Sequence, residues 1–125
     1  MNKKPMEVTE TELAILDVLW EQGPIEIREI VEVMYDEHTP ALHATVTSLL
    51  ERLAKKGFVS CDRSRHRHRF SASVARDAFV GQQMQKLADT HFDGSVVPML
   101  MTLVDRAKVS RADRNAIRKI IEKMQ

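Results

Sequence analysis

Polar side chains that can hydrogen-bond to nucleic-acid bases recur along one side of an amphipathic segment in the middle of the chain. They lie between residues 40 and 56 and are His43, Thr45, Thr47, Ser48, Arg52 and Lys55. Short hydroxyl side chains let a helix lie close to the major groove, where they can donate, accept or touch a thymine methyl. The competing interpretation is a solvated helix face without a ligand. The basic segment that follows favours the first interpretation.

The helix that would carry these side chains is predicted from apolar spacing. Its apolar positions recur at steps of three and four residues: Leu42, Val46, Leu49, Leu50 and Leu53. Thr39 can cap the first turn with its hydroxyl, and Pro40 suits the first helical position. Gly57 is placed where a left-handed residue often ends a helix. We therefore expect a helix over residues 40–56.

A basic segment follows this helix directly. Residues 58–62 alternate weakly between apolar and polar and are predicted as a strand, with residues 67–71 as its partner. The predicted contacts to DNA phosphates are Arg63, Arg65, His66 and Arg67. Phosphate contacts contribute affinity and orientation without selecting sequence. A solvated basic loop is the alternative, but a helix followed by a basic hairpin predicts a winged helix-turn-helix that binds duplex DNA.

The net charge of the chain is only +1, but the charge is distributed unevenly. Residues 1–40 contain ten acidic and three basic side chains, whereas residues 41–70 contain seven basic and two acidic ones. A nearly neutral protein with its positive charge in one segment can still present a phosphate-binding surface. The charge pattern therefore supports DNA as a partner.

Several other classes are disfavoured by composition. The single cysteine, Cys61, excludes an intramolecular disulfide framework and fits a reducing compartment. The first eight residues lack the apolar core of a signal peptide, and no apolar run approaches the ~20 residues needed to span a bilayer. No Gly-rich phosphate loop, HExxH or nucleophile signature is present. The sequence predicts a cytoplasmic, non-enzymatic protein with no catalytic residues and no cofactor.

Two helices are predicted before residue 39. The first spans residues 9–22, with Thr9 and Glu12 as a capping box. Its predicted core stripe is Leu13, Leu16, Leu19 and Trp20, with Ile15 beside it. Gly23-Pro24 would end this helix, and a second helix would begin near Glu26 after a brief extended contact at Ile25. With the helix over 40–56, these make the three-helix core of a helix-turn-helix domain over residues 1–72.

The remainder, residues 73–125, is predicted as a helical dimerisation domain. Helices are expected over 73–90, 96–104 and from Ser110 to Met124, and the middle one is apolar nearly all round. Such a helix must be covered, and about fifty residues make a marginal core alone. A second copy would supply the cover, which predicts a homodimer. The predicted interface residues are Val96, Val97, Leu100, Leu103, Val104, Ile117, Ile120 and Ile121.

Two alternative functions remain open from the residues. Cys61, His66 and His68 lie on the predicted hairpin, and a thiolate with imidazoles suits zinc or copper in a metal-responsive regulator. The domain could also bind a protein instead of DNA. Salt-dependent DNA affinity would distinguish DNA binding from protein binding.

Four segments resemble the BlaI/MecI family of penicillinase and methicillin-resistance repressors, and the first two are the strongest. Residues 12–20, ELAILDVLW, are similar to a family helix that ends in tryptophan. Residues 45–57, TVTSLLERLAKKG, resemble the family pattern Thr-Val-x-Thr-x-Leu-x-Arg-Leu-x-x-Lys-Gly. Residues 65–70 resemble the wing, and residues 92–95 resemble a turn before the penultimate helix.

This resemblance implies a mainly α-helical dimeric repressor with a small β-hairpin wing that binds a dyad-symmetric operator. In the best-known members a membrane zinc metalloprotease receptor senses β-lactam, and the repressor is then cleaved in its penultimate helix. The matching place here is Thr102-Leu103, where the family typically has Asn-Phe. His43-Ala44 also departs from the Tyr-Thr or Pro-Lys of many members, which implies a different operator. The paired Cys-x-Cys motifs of copper-responsive relatives are absent.

Overall fold

The computed structural model describes residues 7–106 and 108–123, which form six helices and two strands. Their bounds are α1 Glu10–Gln22, α2 Ile27–Tyr35, α3 Pro40–Lys55, β1 Val59–Asp62, β2 Arg69–Ala72, α4 Arg76–His91, α5 Val96–Arg106 and α6 Arg111–Lys123. The chain divides into two compact units, Met1–Arg76 and Asp77–Gln125. Within the described ranges, no helix combines the length and the apolar character that crossing a membrane requires.

Local sequence signals determine both ends of α1. The Thr9 hydroxyl accepts from the backbone N–H of Glu12 at 3.1 Å, and the Glu12 carboxylate accepts from the backbone N–H of Thr9 at 2.9 Å. This is the predicted capping box, which satisfies two of the amides that every helix start leaves without partners. At the other end the backbone N–H of Gly23 still donates to Leu19, and the chain then leaves the helix in an extended conformation.

The buried face of α1 differs from the predicted stripe. Leu13 is 38% exposed, whereas Glu12 is completely buried together with Ile15, Leu16 and Leu19. The buried face of α1 is therefore centred one residue earlier than the leucine spacing predicted, and it includes the Glu12 carboxylate. Val18, which was outside the predicted stripe, is also buried.

The helices α2 and α3 begin and end close to their predicted limits. The α2 helix starts after Glu26 and ends at Tyr35, and the next residue, Asp36, caps it in a left-handed conformation with φ of 59°. The α3 helix is capped by the Thr39 hydroxyl, which accepts from the backbone N–H of Leu42 at 3.1 Å, and Pro40 occupies its first position. Gly57 follows α3 with φ of +86°, a conformation that glycine adopts without a steric penalty.

The two strands form an antiparallel hairpin in which Cys61 lies opposite Phe70. The partner strand begins at Arg69 and not at the predicted residue 67, so the tip extends over residues 63–68. Ile25 adds a short bridge to the hairpin, since Ile25 and Phe70 exchange two backbone hydrogen bonds of 3.0 and 2.7 Å. The predicted extended contact at Ile25 is therefore confirmed, and it attaches the hairpin to the connection between α1 and α2.

Side chains from all three N-terminal helices form the core of the first unit. Its completely buried members are Ile15, Leu16, Ile30, Val31, Val46, Leu50 and Leu53, with Leu50 at 1% exposure. Trp20 was predicted to be a core residue; its ring is half-buried, and its Nε1–H donates to the Val74 carbonyl at 2.8 Å. Three helices, a small hairpin and this core confirm the predicted mainly α-helical, winged helix-turn-helix fold.

The second unit contains the last three helices. The α4 helix begins at Arg76 and not at the predicted Ser73, because Ser73 belongs to the first unit and forms its hydrogen bonds there. The Ser73 backbone N–H donates to the Phe58 carbonyl at 2.8 Å, and the Ser73 hydroxyl donates to the Gly57 carbonyl at 2.8 Å. The predicted Ser110 cap of α6 is present, with its hydroxyl accepting from the backbone N–H of Asp113. Met124, which was predicted to lie on the apolar face of α6, is outside the described residues.

Candidate nucleic-acid interface

The α3 helix buries its leucine face and leaves most of its polar face in solvent. Val46, Leu49, Leu50 and Leu53 are buried against the core. The predicted DNA-binding residues have two degrees of exposure: Thr45, Ser48, Arg52 and Lys55 are exposed, and His43 and Thr47 are half-buried. Because every α3 side chain that packs in the core is apolar, the polar face is available to a ligand.

Two threonine hydroxyls on this face are oriented by the helix itself. Thr45 Oγ1 donates to the Ala41 carbonyl at 3.0 Å, and Thr47 Oγ1 donates to the His43 carbonyl at 2.8 Å. Each hydroxyl proton is therefore engaged, while each oxygen retains acceptor capacity and each side chain retains its methyl group. Acceptors and methyl groups at fixed positions suit base amino groups and thymine methyls.

The hairpin tip carries the residues that are predicted to contact phosphates. Arg63, Arg65, His66 and Arg67 are all exposed. Asp62 shapes the turn, since its carboxylate accepts from the Ser64 hydroxyl at 2.6 Å and from the Ser64 backbone N–H at 2.9 Å. These two hydrogen bonds lower the pKa of Asp62. An ionised Asp62 thus supports a turn from which basic side chains project.

One arginine of the tip also contacts the helical core. Arg67 Nη1 lies 3.5 Å from Glu26 Oε1 at the start of α2, although the arginine side chain is 73% exposed. An ion pair this open is worth little in stability, on the order of 0–1 kcal/mol. Its geometric effect is to hold the tip near α2, and Arg67 keeps most of its surface for a ligand.

A buried ion-pair cluster joins α1 to the end of α3. Lys56 Nζ donates to both carboxylate oxygens of the completely buried Glu12, at 2.8 and 3.1 Å. Arg52 Nε lies 3.4 Å from the same carboxylate while its side chain remains 56% exposed. Lys56 Nζ also donates to the Glu7 carbonyl at 2.6 Å. The C-terminal end of α3 is therefore attached to the first turn of α1.

The electrostatics of this cluster favour an ionised Glu12. Burial alone would raise the pKa of Glu12, but hydrogen bonds from Lys56 and the Thr9 backbone, with the charges of Lys56 and Arg52, outweigh it. The pKa of Glu12 is consequently lower than its ordinary value. A buried carboxylate that remains charged must keep its cationic partners close.

A groove beside this face contains a close pair of histidines. His38 Nε2 and His43 Nδ1 lie 2.8 Å apart, and the two rings meet edge to face with centroids 5.0 Å apart. The groove has a volume of about 350 Å³ and extends from the N-terminal ends of α2 and α3 to the hairpin tip. Its lining residues are Glu26, Ile27, Arg28, His38, His43, His66, Arg67 and His68.

The alternative of a metal site at Cys61, His66 and His68 is not supported by the structure. Across residues 7–106 and 108–123, no three histidine, cysteine, aspartate or glutamate side chains are gathered to hold one metal ion. His66 and His68 do lie on the hairpin, but both precede β2 and belong to its exposed tip. Cys61 lies within β1 and is half-buried.

The predicted dimerisation residues have a common property, because none of them is buried within the single chain. Val97, Leu103 and Ile120 are 38%, 51% and 57% exposed. Val96, Leu100, Val104, Ile117 and Ile121 are half-buried. An apolar groove of about 320 Å³ separates α5 from α6. Thr102 and Leu103, the predicted cleavage region, are both exposed on α5.

Several contacts of this region were missed from the sequence. Glu12 was recognised only as a capping residue, although its carboxylate also pairs with Lys56, which is 44 positions away. The pairing of Arg67 with Glu26 and of His38 with His43 was missed as well. A polar residue at the centre of an apolar stripe is a signal that could have indicated the Glu12 contact.

Comparison with known proteins gives the geometry a family context. The penicillinase repressor family matches residues 8–123. The transcriptional regulator BlaI of Mycobacterium tuberculosis is 31% identical over 116 residues, covering 91% of this chain and 82% of BlaI. The penicillinase repressor of Bacillus licheniformis is 18% identical, covering 96% of this chain and 93% of that protein. A solved structure of Bordetella bronchiseptica BpsR has a TM-score of 0.49 and 18% identity, covering 98% of this chain and 83% of that one.

The family match extends over both units, and the identity to BlaI is high enough to establish kinship. Members of this family are DNA-binding regulators of transcription and not enzymes. This confirms the predicted role as a DNA-binding transcription regulator and the prediction that the protein is not an enzyme. On these grounds the chain belongs to the penicillinase repressor family.

Proposed function

We propose that this protein is a homodimeric transcriptional repressor that binds a dyad-symmetric operator. In this proposal α3 enters the major groove, and His43, Thr45, Thr47 and Ser48 contact base edges. The hairpin tip lies along the DNA backbone with its arginines on phosphates. The observation that carries the proposal is the exposed polar face of α3 in the same compact unit as an exposed basic hairpin tip.

Arg52 and Lys55 have different roles in this proposal. Lys55 is exposed at the last turn of α3 and can reach a phosphate. Arg52 shares its guanidinium between solvent and the Glu12 carboxylate. We therefore assign Arg52 a phosphate contact that also depends on α1, whereas the contact of Lys55 depends on α3 alone.

The exposed apolar faces of α5 and α6 support the dimer. None of the thirteen residues of α6 is buried, although Ile117, Ile120 and Ile121 form an apolar face. Monomeric proteins rarely expose a contiguous apolar surface of this kind. A second copy related by two-fold symmetry would cover these faces and would place two recognition helices about 34 Å apart, one turn of DNA.

The proposal includes a release step that responds to a signal. A cut near Thr102-Leu103 would divide α5 and separate α6 from the rest of the chain, which would remove Ile117, Ile120 and Ile121 from the dimer. Both residues are exposed, and Thr102 Oγ1 donates to the Pro98 carbonyl at 2.9 Å. A membrane metalloprotease sensor is the proposed source of the cut.

Selection of bound sequences from a random duplex pool tests the proposed DNA binding. We expect recovery of a dyad-symmetric site with half-sites about one helical turn apart. Affinity for that site should fall steeply with salt, with a slope of about −0.9 for each neutralised phosphate. Failure to enrich any sequence, together with weak and salt-insensitive binding, would overturn the proposal and favour a protein-binding role for the domain.

The release step has a separate test. The purified chain is incubated with membranes from inducer-treated cells, and the products are identified by mass spectrometry. Cleavage within residues 100–105 supports the proposal, and an intact chain under conditions that relieve repression contradicts it. A Leu103→Pro variant serves as a comparison, because proline disrupts the regular helix around the cut. A change in the rate or position of cleavage relative to the unmodified chain would show that the protease recognises the helical form of α5.

A further inference from the structure

Two histidines at the start of α3 hydrogen-bond to each other. His38 precedes the helix, and His43 lies in its first turn. His38 Nε2 and His43 Nδ1 are 2.8 Å apart, and the two rings meet at an interplanar angle of 90°. Both side chains are half-buried. The contact therefore restricts the rotation of the His43 ring about its side-chain bonds.

The second ring nitrogen of His43 is accessible to a ligand. Among residues 7–106 and 108–123, no hydrogen bond engages His43 Nε2, and no side-chain nitrogen or oxygen is both buried and without a partner. His43 Nε2 is therefore in contact with solvent. Thr47 lies one turn later on the same side of α3, and its hydroxyl donates to the His43 carbonyl at 2.8 Å. The accessible nitrogen thus belongs to the helix face that is proposed to enter the major groove.

The hydrogen bond between the rings determines where His43 carries its hydrogen. When one ring nitrogen of a neutral histidine accepts a hydrogen bond, the other nitrogen carries the hydrogen. If His38 Nε2 donates to His43 Nδ1, then His43 Nε2–H is a donor; the reverse direction would leave His43 Nε2 as an acceptor. Only the first direction gives both rings the Nε2–H form, which a neutral histidine side chain favours in water. An additional proton on the pair would then bind His38 Nδ1 and leave the Nε2–H of His43 in place.

We propose that His38 is a positioning residue for operator recognition, which orients His43 so that its Nε2–H donates to a base edge. This inference rests on the proposed function, in which α3 enters the major groove. Guanine has two acceptors on its major-groove edge, N7 and O6, whereas cytosine has an amino group that donates. The base that His43 contacts should therefore be a guanine, and cytosine should be rejected in its place. Thr47, whose hydroxyl proton is engaged, contributes an acceptor and a methyl group one turn later.

Base-pair substitutions in the selected operator test this role of His38. The base pair that His43 reads is identified as the one at which His43→Ala loses its preference. There we expect the unmodified chain to favour guanine over cytosine by about fivefold or more. His38→Phe keeps an aromatic ring but has no nitrogen, and it should lose most of this preference. His38→Gln, whose amide can donate to His43 Nδ1, should retain it.

Two further variants separate the positioning of His43 from other roles. His68→Phe changes another histidine that lines the same groove, and it should leave the preference at this base pair unchanged. In the His43→Ala background, His38→Phe should cause no further loss of preference, because no ring remains to be oriented. Far-ultraviolet circular dichroism shows whether each variant is folded.

Nitrogen NMR of the DNA-free chain tests the histidine pair without an operator. With isotope-labelled histidine, we expect His43 to carry its hydrogen on Nε2 and to accept a hydrogen bond at Nδ1, and His38→Phe should abolish that hydrogen bond. The inference is overturned if His43 carries its hydrogen on Nδ1, if the folded His38→Phe variant keeps the guanine preference, or if His43→Ala alters the preference at no base pair. In each case the operator is still bound, whereas failure of the unmodified chain to select an operator would overturn the proposed function as well.

Discussion

Two side chains of the candidate interface differ in how firmly the fold holds them, and the proposed function gives them different roles on DNA. Thr47 lies on α3 with its hydroxyl proton bound to the His43 carbonyl, so its oxygen and methyl group have a fixed direction. Arg67 lies on the hairpin tip, mostly exposed and only loosely paired with Glu26. A fixed direction suits recognition of a base edge, whereas an exposed cation suits any phosphate.

This difference leads to a prediction for Thr47→Ala. The substitution should weaken binding to the selected operator by about 1 kcal/mol more than binding to random duplex, since it removes an oxygen and a methyl group from the groove-facing side. The measurement is fluorescence anisotropy with both DNAs at one salt concentration. Equal losses on the two DNAs would remove Thr47 from the specificity determinants.

The matched prediction concerns Arg67→Ala. We expect it to weaken operator and random duplex by similar factors and to reduce the magnitude of the salt slope by about 1, because one phosphate contact is lost. Titrations at several salt concentrations give both quantities. An unchanged slope would mean that Arg67 serves the Glu26 contact and not the DNA.

Glu12 allows a prediction about pH. Its pKa is lower in the folded chain than its ordinary value of 4.5, so the ionised form stabilises the fold. That contribution is complete above the unfolded pKa and is lost as the pH falls through the folded pKa. Chemical denaturation should therefore show that stability falls more steeply below about pH 4.5 in the unmodified chain than in Glu12→Gln.

The same substitution should also be costly at neutral pH. Glu12→Gln leaves Lys56 with a neutral partner in a buried site, and we expect a loss of about 3 kcal/mol in the free energy of unfolding. Glu10→Gln is the matched control, because Glu10 is exposed in the same helical turn. If the two variants were equally stable, the Glu12 cluster would have no structural role.

At the scale of elements, the end of α3 is defined by Gly57. Its φ of +86° is strained for any residue with a Cβ, although a Cβ built there meets no atom within 4 Å. We predict that Gly57→Ala lowers the free energy of unfolding by about 1 kcal/mol through backbone strain alone. Urea denaturation followed by circular dichroism measures it.

Gly81→Ala is the matched control for this prediction. Gly81 lies within α4, also has open space around its Cβ position, and has a φ outside the left-handed region. Alanine should therefore stabilise α4 by about 0.5–1 kcal/mol, since it restricts the unfolded chain and favours helix. Opposite signs at the two glycines would confirm the strain argument, and equal signs would contradict it.

Most element boundaries could be predicted because their signals are local. The Thr9–Glu12 box, the Thr39-Pro40 start and the glycine after α3 each act within four residues, and the structure has all three. The start of α4 was wrong because Ser73 forms its hydrogen bonds with Gly57 and Phe58, which are fifteen or more positions earlier. Helical periodicity contains no information about such a contact.

The exposure of the candidate DNA-binding residues was predictable to a similar extent. Exposure of Thr45, Ser48 and Lys55 follows from their position opposite the leucines of α3. The buried cluster was not predictable, because Glu12 and Lys56 are distant in sequence and a charged residue in a core contradicts the usual pattern. The convergence of the histidines on one groove depends in the same way on how the tip packs.

At the scale of the whole molecule, the exposed apolar faces of α5 and α6 lead to a prediction about assembly. Ile120→Glu should convert the proposed dimer to a monomer. Ile120 is 57% exposed in the single chain, and the dimer would have to bury the new carboxylate without a partner. Light scattering coupled to size exclusion measures the mass, and operator affinity should fall in parallel. Lys119→Glu places the same carboxylate at an exposed neighbouring position outside the apolar face, and this variant should remain dimeric.

The exposure of these faces has a consequence for the dose response of the proposed repressor. If a single chain leaves them uncovered and only the pair binds the operator, occupancy at low abundance increases with the square of the amount of chain. A twofold change in synthesis or degradation would then change occupancy about fourfold, with no ligand involved. The gene under control would respond to a threshold in the number of copies of this protein per cell.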